Sequence, residues 1–194
     1  TDTTSAGLVV EMFSGLVSLN PELEIVPDLA ESWDVGEGGT QYTFNLRDDI
    51  KFSDGSSVTA RDFIYSFNRA ANPDTESPVA ELYLGDIVGA QDVIDGNATE
   101  ISGIKLIDDK TIQINIDSPK AYFLAKLTYP TAYVLKESNV NSGENWTDNP
   151  VGTGPFALER YDLGQILILK RNDNYWGDLA KLDRVEFNLA GGVP

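Results

Sequence analysis

A chain of 194 residues can bury a core of its own, and its 41% hydrophobic and 23% charged residues are those of a folded domain rather than a disordered one. A formal net charge of -17, with no Lys/Arg run, excludes binding to the phosphate backbone of nucleic acid and electrostatic adhesion to anionic lipid. Cys and His are both absent, which excludes disulfides, thiolate zinc sites and the Ser-His-Asp and Cys-His nucleophile arrangements.

In chain order, Leu8, Val9, Met12, Phe13, Leu16 and Val17 recur at helical spacing and predict an amphipathic helix from Gly7 that ends near Gly15. Asn20-Pro21 breaks that pattern, and Ile25-Val26-Pro27 opens an extended passage toward Leu29-Ala30. Gln41–Leu46 alternates Tyr42, Phe44 and Leu46 with Thr43 and Asn45, the pattern of a half-buried strand. Ser53-Asp54-Gly55 is a turn. Thr59 is placed to cap a helix whose buried stripe is Phe63, Ile64, Phe67 and Ala70/Ala71, with Asp62 at the positive end of its dipole and Asn72-Pro73 as its stop.

Ile104–Ile107 and Thr111–Ile116 flank Asp108-Asp109-Lys110 and predict a β-hairpin. A short helix follows through Phe123, Leu124 and Leu127, and Ser138–Asn149 reads as a polar loop. Strands resume at Phe156–Tyr161, Gln165–Lys170 and Arg184–Leu189. No segment is apolar enough to span a bilayer, and the mixture of short strands and helices is α/β or mixed α+β.

Several motifs invite a chemical reading. Gly152-x-Gly154-x-x-Ala157 superficially matches a dinucleotide fingerprint, but Pro155 and the strand-like residues after it contradict the helix that such a fingerprint opens. Arg171-Asn172-Asp173-Asn174 lacks the spaced carboxylates of a calcium loop and reads as a solvated turn. Asp48-Asp49 and Asp108-Asp109 are adjacent acids whose side chains diverge on a strand or turn, so they read as solvated surface rather than a glycosidase pair. The aromatics are core or rim by default, with a minority available to wall a ligand cleft.

An ordered series of short motifs carries more weight than any one of them. It runs from Phe13-Ser14-Gly15-Leu16-Val17 through Leu29–Trp33, Tyr42–Arg47, Lys51–Asp62, Phe67-Asn68-Arg69, Lys105–Thr111 and Phe123-Leu124 to Gly152–Phe156, Leu169–Gly177 and Leu182–Val185. In that order it resembles the bacterial extracellular solute-binding proteins of family 5, the oligopeptide-, dipeptide- and nickel-binding components of ABC importers. Asn72–Pro78, Tyr83-Leu84 and Asp92–Gly96 look closest to the oligopeptide-binding branch.

The resemblance implies a periplasmic-binding-protein-like type II clamp, more than twice this length, of which the chain is a fragment without the second lobe. It assigns residues 1–26 and 151–194 to the first lobe and 27–150 to the extra domain of peptide binders. It implies a non-catalytic receptor in the periplasm or at the cell surface, with a lipid anchor in the whole protein. Its partners are a peptide ligand and a membrane permease, with no nucleic acid, cofactor or metal.

Peptide capture by strand addition would use backbone contacts at Phe13, Ser14, Gly15 and Leu16. Tyr83, Tyr129 and Thr131 are the expected pocket residues, with Gly154 near the cleft. Ser14 departs from the acidic residue that peptide-binding relatives often carry there. The rival readings are a receptor for a metal chelate, sugar or other small solute, a secreted carboxylate-dependent glycosidase, and a structural or adhesive module.

Overall fold

A computed structural model describes residues 3–143 and 145–190. The chain opens with helix α1 (Thr3–Met12), followed by strands β1 (Val17–Leu19), β2 (Ile25–Pro27), β3 (Ala30–Val35) and β4 (Gln41–Leu46). Helices α2 (Ala60–Ala71), α3 (Ala80–Leu84) and α4 (Ala90–Ile94) lead to the hairpin β5 (Ile104–Asp108) and β6 (Thr111–Asn115). Helices α5 (Phe123–Lys126) and α6 (Glu137–Val140) precede a last sheet of β7 (Phe156–Asp162), β8 (Ile166–Arg171) and β9 (Arg184–Asn188). Among the described residues no helix is long and apolar enough to cross a membrane.

These elements form two compact units. Unit 1 comprises residues 1–13, 49–58 and 135–194, and unit 2 comprises 14–48 and 59–134.

Unit 2 is built on an antiparallel sheet of order β3-β4-β6-β5. The alternation in β4 sends Tyr42, Phe44 and Leu46 to the buried face, where Phe44 lies opposite Ile112 and Tyr42 opposite Ile114. Apolar pairs at matched register are the unit of sheet stabilisation, and a one-residue slip would expose all of them.

Helix α2 covers this core with Ala60, Phe63, Phe67 and Ala71 buried, spaced three to four residues apart. The expected Ile64 and Ala70 are only half-buried, because the stripe follows the 60-63-67-71 row. Its start is a capping box: Asp62 Oδ2 accepts from the Thr59 backbone N–H and from the Thr59 hydroxyl, both at 2.8 Å.

The expected helix through Gly15 ends at Met12 instead. From Ser14 onward the chain is extended, because its carbonyls find partners in unit 2. Ser14 O accepts from Val134 N–H at 3.0 Å and Gly15 O from Leu29 N–H at 3.2 Å, while Leu16 O accepts from Asp28 and Ala30. Leu16 and Val17 are core residues of that extended run, and a short apolar run does not by its spacing tell helix from strand.

Unit 1 holds α1 and the antiparallel sheet β7-β8-β9, with Leu167, Ile168 and Leu169 buried in its central strand. Segment 49–58 folds back as a bridged loop in which Lys51 pairs with Ser57. The turn expected at Ser53-Asp54-Gly55 forms there: Asp54 Oδ1 accepts from Ser56 N–H at 3.0 Å, and Gly55 takes a φ of 86° that favours glycine. Residues 138–143 and 145–149 are more ordered than the expected loop. Asn139 ties them closed, donating to Asn149 O at 3.1 Å and accepting from Val151 N–H at 3.0 Å.

Candidate functional site

Of the residues expected to meet ligand, Ser14, Gly15, Leu16, Tyr83, Tyr129 and Thr131 lie in unit 2, and Phe13 and Gly154 in unit 1.

In unit 2 the rings of Tyr83 and Tyr129 stack at 3.9 Å between centroids and 5° between planes. Both are half-buried, so the pair presents a flat aromatic edge to its surroundings. Burial, with Tyr129 beside it, pushes the Tyr83 phenol above its usual range. Thr131 stands two residues beyond Tyr129, half-buried in the 3-10 turn Pro130–Ala132.

Gly15 packs under a third tyrosine. A methyl group there would lie 3.1 Å from the Tyr133 ring and 3.2 Å from Leu127 O, so a side chain at this position would push the two segments slightly apart. Tyr133 in turn donates to Thr128 O at 3.2 Å, and burial together with the charge of Asp28 pushes its phenol up to about 12.

One ionic cluster that sequence reasoning passed over lies next to the tyrosine pair. Asp86, 9% exposed, is bonded by Lys120 Nζ at Oδ1 and ion-paired with Lys126 Nζ at Oδ2, both at 2.6 Å. Lys120 also reaches Asp117 at 2.8 Å, and the Lys126 ammonium stands 5.1 Å from the Tyr122 ring centre. Burial alone would raise the Asp86 carboxyl, but the two ammonium groups outweigh it and hold it below the usual carboxylate range. The only sequence signal was spacing: Asp86 follows Tyr83 by three residues, and Lys126 precedes Tyr129 by three.

In unit 1, Phe13 lines an apolar groove of about 490 Å³ with Leu8, Met12, Trp146, Leu158 and Leu167. Gly154 is engaged within the unit through both backbone groups: its N–H donates to Met12 O at 2.9 Å, and its carbonyl accepts from Asn172 Nδ2 at 2.8 Å. Asn172 corrects the expectation of a solvated turn at 171–174. It is 3% exposed, and its Oδ1 accepts from Asn174 N–H at 3.0 Å while Asn174 reaches Ser53 O at 3.1 Å. Replacing Asn172 with Leu strands a buried carbonyl and a backbone N–H. It is expected to cost about 2–3 kcal/mol in urea unfolding, whereas Asp173→Ala on the exposed side of the turn changes stability by less than about 0.5 kcal/mol.

Among the described residues no group of three or more His, Cys, Asp or Glu is placed to hold a metal ion. What the two units offer chemically is aromatic surface, engaged backbone and buried ion pairs.

The profile of the bacterial extracellular solute-binding proteins, family 5 (middle region), matches residues 24–191. The chain belongs to that family. It is 37% identical over 186 residues to the periplasmic murein peptide-binding protein MppA of Escherichia coli K12, covering 93% of this chain and 34% of that protein. It is 36% identical over 174 residues to the periplasmic oligopeptide-binding protein OppA of the same strain, covering 87% and 32%. The structure of Listeria monocytogenes OppA bound to peptide superposes with a TM-score of 0.91 at 30% identity, covering 97% of this chain and 38% of that one. The mixed α/β fold is therefore that of the family 5 binding proteins, and the chain spans about a third of the length of the curated relatives it matches.

Proposed function

We propose that this family 5 chain is a portion of an extracytoplasmic, non-catalytic receptor that captures oligopeptides and delivers them to an ABC import permease. The observation that carries the proposal is the likeness, over 97% of the chain, to a solved relative described as bound to peptide. The periplasmic peptide-binding names of the Escherichia coli relatives support it.

In this reading, residues 1–26 and 151–194 contribute to the first lobe and 27–150 to the extra domain of peptide binders. The permease partner and the lipid anchor follow from the family resemblance. The Phe13–Leu16 segment, Tyr83, Tyr129, Thr131 and Gly154 are the residues that contact the peptide in this proposal. Main-chain bonds give such a receptor affinity without dictating sequence, and aromatic walls accept varied side chains.

Isothermal titration of the whole protein tests the proposal. Saturable heat is expected with a pool of short peptides and none with sugars or nickel chelates. Saturable heat with a sugar or chelate, and none with peptides, overturns it.

A further inference from the structure

We propose that Asp86 and Lys126, braced by Lys120, are positioning residues that hold the Tyr83–Tyr129 pair as a preset aromatic shelf for peptide side chains. This inference rests on the peptide-receptor reading only for the identity of what the shelf receives.

The case begins with the stack. Aromatic rings prefer offset or edge-on arrangements with centroids about 4.5–7 Å apart, because two parallel ring faces carry like partial charge. Tyr83 and Tyr129 sit at 3.9 Å and 5°, parallel as in an offset stack but with centroids closer than that range, so the surroundings press the rings together. Covalent neighbours do not: the two tyrosines come from separate segments, one in α3 and the other just after α5.

The same two segments are joined a second time, one helical turn from the stack. Asp86 lies just past the C-terminal end of α3, and Lys126 is the last residue of α5. Their 2.6 Å ion pair therefore spans the interval that the rings span. Two cross-links between a pair of short segments fix both separation and rotation, where one alone leaves a hinge.

An ion pair suits this task because its strength rises as water is excluded. The side chains of Asp86 and Lys126 are 12% and 19% exposed. Lys120 braces the carboxylate from its other oxygen and ties it to Asp117, just beyond β6, so the cross-link is anchored to the sheet. The Asp117 N–H also donates to Asp86 O at 3.0 Å, which fixes the backbone from which the carboxylate projects. Helices of four or five residues have little stability of their own, so such links decide where their side chains stand.

The test uses the whole protein and two readouts. The first needs no ligand: the near-ultraviolet circular dichroism of the stacked pair, defined as the difference between wild type and Tyr83→Leu. Asp86→Asn and Lys126→Met are each expected to remove most of that signal, and Lys126→Arg to retain it.

The second readout is titration with a pentapeptide carrying a central phenylalanine. Asp86→Asn is expected to weaken binding about tenfold in the wild-type background and by less than about twofold in a Tyr83→Leu background, because the residue acts through the shelf. Lys126→Met keeps Asp86 paired with Lys120, so it reports even where Asp86→Asn fails to fold. An unchanged tyrosine signal in Lys126→Met, or an equal loss of affinity in both backgrounds, overturns the proposal. If the wild type gives no heat with any peptide, the receptor reading fails, and the optical readout still decides whether the ion pair positions the tyrosines.

Discussion

Gly154→Ala is expected to destabilise the protein by about 3–4 kcal/mol, an effect large for a single added methyl group. Its Cβ would stand 2.4 Å from Glu11 O and 2.7 Å from the Met12 carbonyl carbon, distances that only a backbone shift relieves. Gly152 is tighter still, with a Cβ that would meet Met12 O at 2.0 Å. The two glycines let the segment leading into β7 lie against the last turn of α1, where Gly154 N–H satisfies the Met12 carbonyl.

Helix ends leave such carbonyls without partners, so the glycines serve as the receptacle for the end of α1. Gly7 supplies the contrast. It lies inside the same helix, a methyl there meets nothing within 4 Å, and Gly7→Ala should stabilise by about 0.5–1 kcal/mol by restricting the unfolded chain. Urea unfolding of both variants checks the pair. Equal effects at Gly7 and Gly154 would mean that helix propensity, and not close approach, governs the site.

What was legible in the sequence follows from how local each signal is. Strand β4 and the β5–β6 hairpin announce themselves because one face meets solvent and the other the core, which writes a period of two into Tyr42, Phe44, Ile112 and Ile114. Helix α2 carries its own start, Thr59 with Asp62, and its own stop at Asn72-Pro73. In the passage after Met12, apolar residues spaced three and four apart fit a helix, and only the distant partners Leu29 and Val134 make it extended.

Tyr83 and Tyr129 were named as pocket residues, but nothing in either neighbourhood shows that they stack. The surroundings of Asn172 are hidden for the same reason. An Asn in a Gly-poor polar turn looks solvated until the backbone of Gly154 and Asn174 closes around it. The segment 49–58, whose turn was plain, gave no local sign that it packs in the same unit as residues 135–194.

Asp86→Leu should cost about 2–4 kcal/mol at neutral pH, chiefly because it leaves two partly buried ammonium groups without the carboxylate between them. Replacing all three members, with Lys120→Met and Lys126→Met added to Asp86→Leu, should recover most of that loss, since the cost lies in the broken cluster rather than in the absence of charge.

The pH dependence has a definite sign. The folded carboxyl titrates below its ordinary value near 3.8, so the cluster's contribution is complete above about pH 4–5 and is lost as the pH falls through the depressed folded value. The stability gap between wild type and Asp86→Leu should therefore stay constant from neutral pH down to about 5 and narrow below about 4. A gap that persists unchanged into that acid range would show that packing, and not the ionised carboxylate, supplies the difference.

The triple variant also separates two roles that a single substitution confounds. Its cluster site is apolar, and no ion pair joins α3 to the end of α5. A protein that regains its unfolding free energy and still lacks the tyrosine stack would place the cluster's use in geometry.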